Sequence, residues 1–230
     1  MYNKMNNYNR YIWIVFAFDG ILIILHLWNG EQWSFINLGE EQNLTTWYSS
    51  IKLLMLGLLS FACRIMEDKQ GDKRYIQLSW WWFVIGSIFI WLSMDEVSTF
   101  HERIARSLMN LQFGSSIRET VLQGDRAKDA FIWVLFLSPL IIVVLYIFVR
   151  FFWKRFSIIK SSCIFSMLGC FLFLLSPALE AVIYFLPPLA QWNDPLINKY
   201  FLITSIEESA ELLGSSCFFI AFVNYIKKGL

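Results

Sequence analysis

Six long apolar runs, at about 11–29, 47–66, 76–98, 131–152, 162–186 and 200–226, alternate with short polar stretches along the chain. Each approaches the roughly 20 apolar residues that carry a helix across a bilayer. The pattern therefore predicts an all-α, polytopic membrane protein: one bundle of about six transmembrane helices in a single domain, 1–230. The first and last runs are less uniform, because they hold Asp19 and the group Glu207, Glu208 and Glu211. Between the third and fourth runs, Leu108, Met109, Leu111 and Phe113 alternate with polar residues, followed by Ile117, Val121 and Leu122. The segment 106–130 thus reads as an amphipathic stretch lying along the outer interface.

Charge sets the orientation. With the N-terminus inside, twelve Lys and Arg fall on the cytoplasmic side and seven outside, together the 19 of the chain. That bias predicts both termini in the cytoplasm and a multi-pass protein of the plasma (inner) membrane. The polar N-terminal decapeptide precedes an apolar run with no Ala-x-Ala site behind it, so the run is read as a retained span rather than a cleaved leader.

Composition agrees with the spans. Hydrophobic residues make up 57% and charged residues only 16%, with 22 Phe and 11 Trp, where a soluble domain carries about a quarter charged residues. The run Trp80-Trp81-Trp82 fits an interfacial aromatic belt. A net charge of +1 offers nucleic acid no electrostatic footprint. Cys63, Cys163, Cys170 and Cys217 lie within apolar runs without a Cys-x-x-Cys spacing, which favours small core residues over zinc thiolates or disulfides. Neither a phosphate-binding glycine loop nor a Gly-x-Ser-x-Gly elbow is present.

The candidate chemistry lies where ionisable residues interrupt apolar runs. One such stretch is Asp95-Glu96-Val-Ser98-Thr-Phe-His101-Glu102-Arg103, and the other is Glu207-Glu208-Ser-Ala-Glu211. Ionised groups in hydrocarbon are costly and usually functional. At 1.5 Å per residue from each cytoplasmic end, Asp95, Glu180 and Glu207 come to about 27–28 Å, Glu211 and His26 to about 22 Å, and Lys52 to about 20 Å. Asp19 is the exception at about 12 Å. Helical phase puts Asp95, Ser98 and Glu102 on one stripe, and Thr204, Glu208, Glu211 and Ser215 on another. Ser176 and Glu180 are i,i+4 neighbours. A polar seam is expected where the third, fifth and sixth spans meet, with His26 and Lys52 closing it.

So many carboxylates in one low-dielectric pocket need compensation by cations, by Lys or Arg partners, or by protons. Carboxylates with imidazole suit zinc, manganese or iron. The expected metal ligands are Asp95, His101, Glu180, Glu208 and Glu211, with Glu102 and Asp95 as catalytic carboxylates. Asp19, His26, Lys52, Glu96, Ser98 and Glu207 complete the polar candidates. The bland alternatives are ion pairs such as Glu102 with Arg106, and solvated interfacial charges. Known metal sites do not match. The Glu-x-x-His pair of ferritin-like di-iron bundles is missing, since Ser98 stands three before His101 and Ile23 three before His26. The three-histidine zinc site of alkaline-ceramidase-type membrane hydrolases needs more than the 2 His present.

Three functions are compatible with this pattern. One is a metal-dependent membrane enzyme acting on lipid, a hydrolase or transferase. The second is a proton or cation channel or transporter that uses Asp19 and the outer carboxylates. The third is a non-enzymatic membrane sensor or assembly subunit, for example of a bacterial phage-defence or stress system. Expected partners are membrane lipid and either a further copy of the chain or a membrane protein.

Overall fold

A computed structural model describes residues 2–29, 32–40, 42–70, 73–100, 103–104, 107, 126–186 and 194–229. His101, Glu102 and most of the 106–130 segment lie outside the described residues. Six α-helices lie among the described residues: α1 (Tyr2–Asn29), α2 (Leu44–Gln70), α3 (Lys73–Ser98), α4 (Arg126–Phe156), α5 (Lys160–Tyr184) and α6 (Asp194–Gly229). A short 3-10 turn, Ser34–Ile36, lies in the α1–α2 loop. No strand occurs among the described residues.

Every predicted run falls on a helix, although the fifth helix stops at Tyr184, two residues before the expected boundary. The helices are otherwise longer than the apolar runs, because polar caps and charged ends continue them. Residues 126–130, expected at an interface, form the first turns of α4. Among the described residues, four stretches are long and apolar enough to cross a membrane: Leu44–Lys69, Leu137–Phe156, Lys160–Ile183 and Asp194–Lys228. α1 contributes a shorter apolar stretch, Trp13–Asn29.

α6 is the pivot. It packs on α1, α2 and α5, while α3 packs on α2 and α4 on α5. The order α3–α2–α6–α5–α4 makes a curved wall whose two ends, α3 and α4, face each other. Small residues permit the close contacts in this wall. A Cβ on Gly57 would meet the Gly86 carbonyl of α3 at 2.9 Å, and one on Gly214 would meet the Phe173 ring of α5 at 2.7 Å. α2 and α3 also exchange hydroxyl bonds: Ser50 Oγ donates to the Ser93 carbonyl and Ser93 Oγ to the Ser50 carbonyl, each at 2.8 Å.

Large rings fill the space between α3 and α4 at the end of the bundle away from the α1–α2 loop. Trp82 stacks edge-on against Phe151 and Phe222, and Phe89 meets Phe148 and Phe218. Phe152 and Phe156 complete this aromatic plug and are fully buried. Trp82 is therefore core, not interfacial belt. Consecutive helical residues point about 100° apart, so the triplet splits: Trp80 is exposed, Trp81 half-buried and Trp82 buried. The cysteines behave as small apolar residues, with Cys63 and Cys170 in the same core.

Candidate functional site

Above the plug, toward the α1–α2 loop, the curved wall encloses a cavity of about 560 Å³. Its depth is apolar, formed by Phe148, Val144 and Ile141 of α4, Phe173 of α5, Phe89 of α3 and Phe218 of α6. Its opposite end is polar. There α3 contributes Asp95 and Glu96, α5 contributes Glu180, and α6 contributes Tyr200, Thr204, Glu207, Glu208 and Glu211. Thr45, Thr46 and Ser49 of α2 add hydroxyls, and Glu40 a further carboxylate. The expected seam of the third, fifth and sixth spans is thus one wall of a real cavity. Asp95 and Glu180 are buried, while Glu96, Glu207, Glu208 and Glu211 are half-buried.

The carboxylates interact. Glu207 feels the charges of Glu180 and Glu211, and Glu208 those of Glu211, Glu96, Glu207 and Glu180. Ser176 Oγ donates to Glu211 Oε1 at 2.5 Å and stands 3.4 Å from Glu207 Oε1. Ser176 therefore ties α5 to the carboxylate turn of α6, a role its i,i+4 relation to Glu180 did not disclose. Among the described residues, no three of His, Cys, Asp and Glu are gathered tightly enough to hold one metal ion. His101, the imidazole of the expected set, and Glu102, the expected base, lie outside those residues.

Among the described residues, Gln42 and Thr99 are the non-glycine positions with positive φ. Thr99, which also lines the cavity, has φ 50°, a left-handed conformation that costs a β-branched residue free energy. Its N–H bonds to the Asp95 carbonyl at 2.7 Å. The turn ends α3 directly after the acidic pair. Ser98 faces away from the cavity and donates to the Met94 carbonyl. Ser215, predicted on the α6 stripe, donates to the Leu212 carbonyl.

The other sequence candidates sit elsewhere. Lys52 does not line the cavity. It donates to Asp19 Oδ1 at 3.0 Å, the Leu212 carbonyl at 2.7 Å and Ser216 Oγ at 3.1 Å. Asp19 also accepts from Tyr48 and from Ser216. This fully buried knot joins α1, α2 and α6, and it uses all three ammonium hydrogens. Gly20 beside it contacts nothing within 4 Å of a Cβ, so it is no packing position. His26 accepts the Leu38 N–H at Nδ1, 3.1 Å, and pairs through Nε2 with Ser205 Oγ at 2.8 Å. Ser205 in turn donates to the Phe201 carbonyl. The proton of the neutral ring is therefore on Nε2.

A second buried knot escaped the sequence reading. Arg155 of α4 pairs with Glu67 Oε2 of α2 at 2.5 Å, and Tyr225 of α6 donates to Glu67 Oε1 at 2.5 Å. The available signal was a Glu directly after the second apolar run and an Arg just beyond the fourth, each among other charges.

The α1–α2 loop lies over the polar end. Asn43 caps α2 by accepting from the Thr45 and Thr46 N–H groups, and its amide donates to the carbonyls of Ser34, Asn37 and Glu40. Leu38, held by His26, is buried and packs with Leu22 and Leu212. Residues 38–40 thereby form a strap across the cavity mouth.

No curated protein and no solved structure matches the chain. A family model described as a domain of unknown function (DUF8692) matches residues 15–225, nearly the whole chain, and the chain belongs to that family.

Proposed function

We propose that this is a six-span membrane protein, both termini cytoplasmic, that binds a lipid-like amphiphile in the cavity and works on its polar end. One observation carries the reading: a single cavity of about 560 Å³ with an apolar depth and a carboxylate- and hydroxyl-lined end. Ligand sites commonly enclose about 300–1,000 Å³, mostly apolar with a few placed polar groups. The carboxylates would orient the head group and move protons at it. The finer reading from the sequence is a zinc-, manganese- or iron-dependent hydrolase or transferase, with Asp95, His101, Glu180, Glu208 and Glu211 as ligands and Glu102 as base.

A channel is less well supported. The aromatic plug of Trp82, Phe89, Phe152, Phe218 and Phe222 fills the bundle below the cavity, and Asp19 is committed to Lys52.

The test is extraction. Purified full-length protein is expected to carry a defined amphiphile detectable by mass spectrometry. Val144→Trp, which fills the apolar depth, is expected to lose it while staying folded. Protein that carries and binds no amphiphile would end the proposal. For the metal reading, lipid turnover undiminished in chelator would exclude the ion.

A further inference from the structure

A cavity with two chemically different ends raises the question of which end its ligand enters. The polar end faces the α1–α2 loop, and that loop is tied down. Leu38 is 7% exposed and bonded through its N–H to His26, while Asn43 gathers three loop carbonyls at once. Gly39 lies so close to α6 that a Cβ there would stand 3.0 Å from Thr204 Cγ2.

The side between α3 and α4 is different. Among the described residues α3 packs chiefly on α2, and α4 chiefly on α5. Rings bridge them at Trp82–Phe151 and Phe89–Phe148. Beyond Phe89 and Phe148, toward the polar end, the bridge gives way to the cavity. Trp91 of α3 and Leu140 of α4 line that cavity and are nevertheless 41% and 52% exposed. A residue that lines a cavity and also faces the surroundings marks an opening in its wall; Gly39 and Glu40 do so at the polar end, and Trp91 and Leu140 do so between α3 and α4. The rims between α3 and α4 are apolar, whereas the loop-side opening carries the Glu40 carboxylate.

We infer that the cavity is filled sideways from the bilayer, between α3 and α4, and that its ligand is therefore a membrane-resident lipid with an acyl-like chain rather than a water-borne solute. The inference rests on the amphiphile reading above and adds the route and the ligand class. The chain enters past Trp91 and Leu140 and comes to rest against Phe148 and Phe218. The head group is drawn to the carboxylates of α6 beneath the strap. Lateral entry keeps the apolar chain out of water throughout, which avoids the hydration cost of about 0.8 kcal/mol per exposed methylene.

The experiment uses full-length protein in phosphatidylcholine vesicles and a photoreactive fatty-acyl probe, with labelling of the peptides carrying Phe148 and Phe218 followed in time. Leu140→Trp narrows the opening at an exposed position, so folding is undisturbed. It is expected to slow labelling several-fold without lowering the plateau, and Trp91→Ala to speed it. Gly39→Cys with Thr204→Cys, oxidised to a disulfide, locks the strap and is expected to leave the rate unchanged. Labelling that stops when the strap is locked, and ignores Leu140→Trp, overturns the lateral route but leaves the amphiphile site standing. A wild-type protein that is never labelled at these peptides, although the probe partitions into its vesicles, refutes the site and the route together.

Discussion

Breaking the Asp19–Lys52 pair tests whether α1 is held to the bundle by electrostatics in a dry interior. Both side chains are buried, at 0% and 7% side-chain exposure, and their atoms stand 3.0 Å apart. At that distance the gross attraction is roughly 5–6 kcal/mol with an effective dielectric of about 20. Much of it offsets the desolvation of both ions, so the net value of the pair is small. Removing one partner is another matter, because the remaining charge keeps its desolvation penalty, and the usual cost is about 3–5 kcal/mol. Lys52→Met leaves Asp19 with the hydroxyls of Tyr48 and Ser216, which places the loss near about 3 kcal/mol. Asp19→Leu leaves the ammonium with the Leu212 carbonyl and Ser216 Oγ, and the loss is similar.

The double variant Asp19→Leu/Lys52→Met removes both charges, and the freed Ser216 hydroxyl can return to its own helix. It is expected within about 1 kcal/mol of the wild type, as for other buried pairs replaced by apolar residues of like volume. The coupling energy of the cycle is then at least about 3 kcal/mol. Equilibrium unfolding of the full chain in mixed micelles, with denaturing detergent as the variable, measures it. Single variants that each lose less than about 1 kcal/mol, or a double variant that loses their sum, would refute the reasoning.

The second knot should behave alike: Glu67→Gln takes the carboxylate charge from the buried Arg155 guanidinium and is expected to cost about 3–5 kcal/mol, read by the same unfolding. Gly57→Ala drives a Cβ to 2.9 Å from the backbone oxygen of Gly86, and should cost about 1–3 kcal/mol because a helix must move. Gly20→Ala is the control, with no atom within 4 Å, and should be neutral or stabilising by up to about 1 kcal/mol. Asn43→Ala removes the α2 cap and the three loop carbonyl bonds, with an expected cost of about 1–2 kcal/mol. Faster proteolysis within residues 32–43 would report the freed strap.

Helices and seam were legible for different reasons. The six helices follow from runs of apolar residues long enough to need internal hydrogen bonding in lipid. The convergence of Asp95, Glu180, Glu207, Glu208 and Glu211 was expected from counting rise along three helices, and all five line one cavity. Depth counting failed for Asp19 because its origin was wrong. α1 starts at Tyr2 rather than near residue 11, which adds about 13 Å at 1.5 Å per residue. α2 likewise runs on to Gln70. With both origins corrected, Asp19 and Lys52 come level, at about 26–27 Å from the ends of their helices. The same extension draws Glu67 and Arg155 from expected interface positions into the bundle. Polarity marks where an apolar run stops, but a helix continues through buried polar residues when partners on neighbouring helices satisfy them.

The two knots and the plug together explain why a cavity exists at all. Glu67, Arg155 and Tyr225 tie α2, α4 and α6 at one end, and eight or more rings fill what remains there. Asp19, Lys52 and Ser216 tie α1, α2 and α6 farther along. α4 is absent from this second knot. Toward the loop end α4 is therefore fixed by α5, through the short turn at 157–159 and the faces that follow it, while its ring contacts with α3, through Phe148, Phe151, Phe152 and Phe156, lie at and below Phe148. A wall anchored at one end and unanchored at the other leaves room beside it. That room meets the acidic turn of α6 on one side and the exposed rim of Trp91 and Leu140 on the other. If this account is right, filling the cavity should be easier than closing it. Val144→Trp should displace the ligand at little cost in stability, because the added ring occupies existing space. A Trp at Ala221, fully buried in the plug, should cost several kcal/mol by overpacking. Equal destabilisation by the two substitutions would mean that the loop end is packed as tightly as the plug, and the cavity would lose its physical basis.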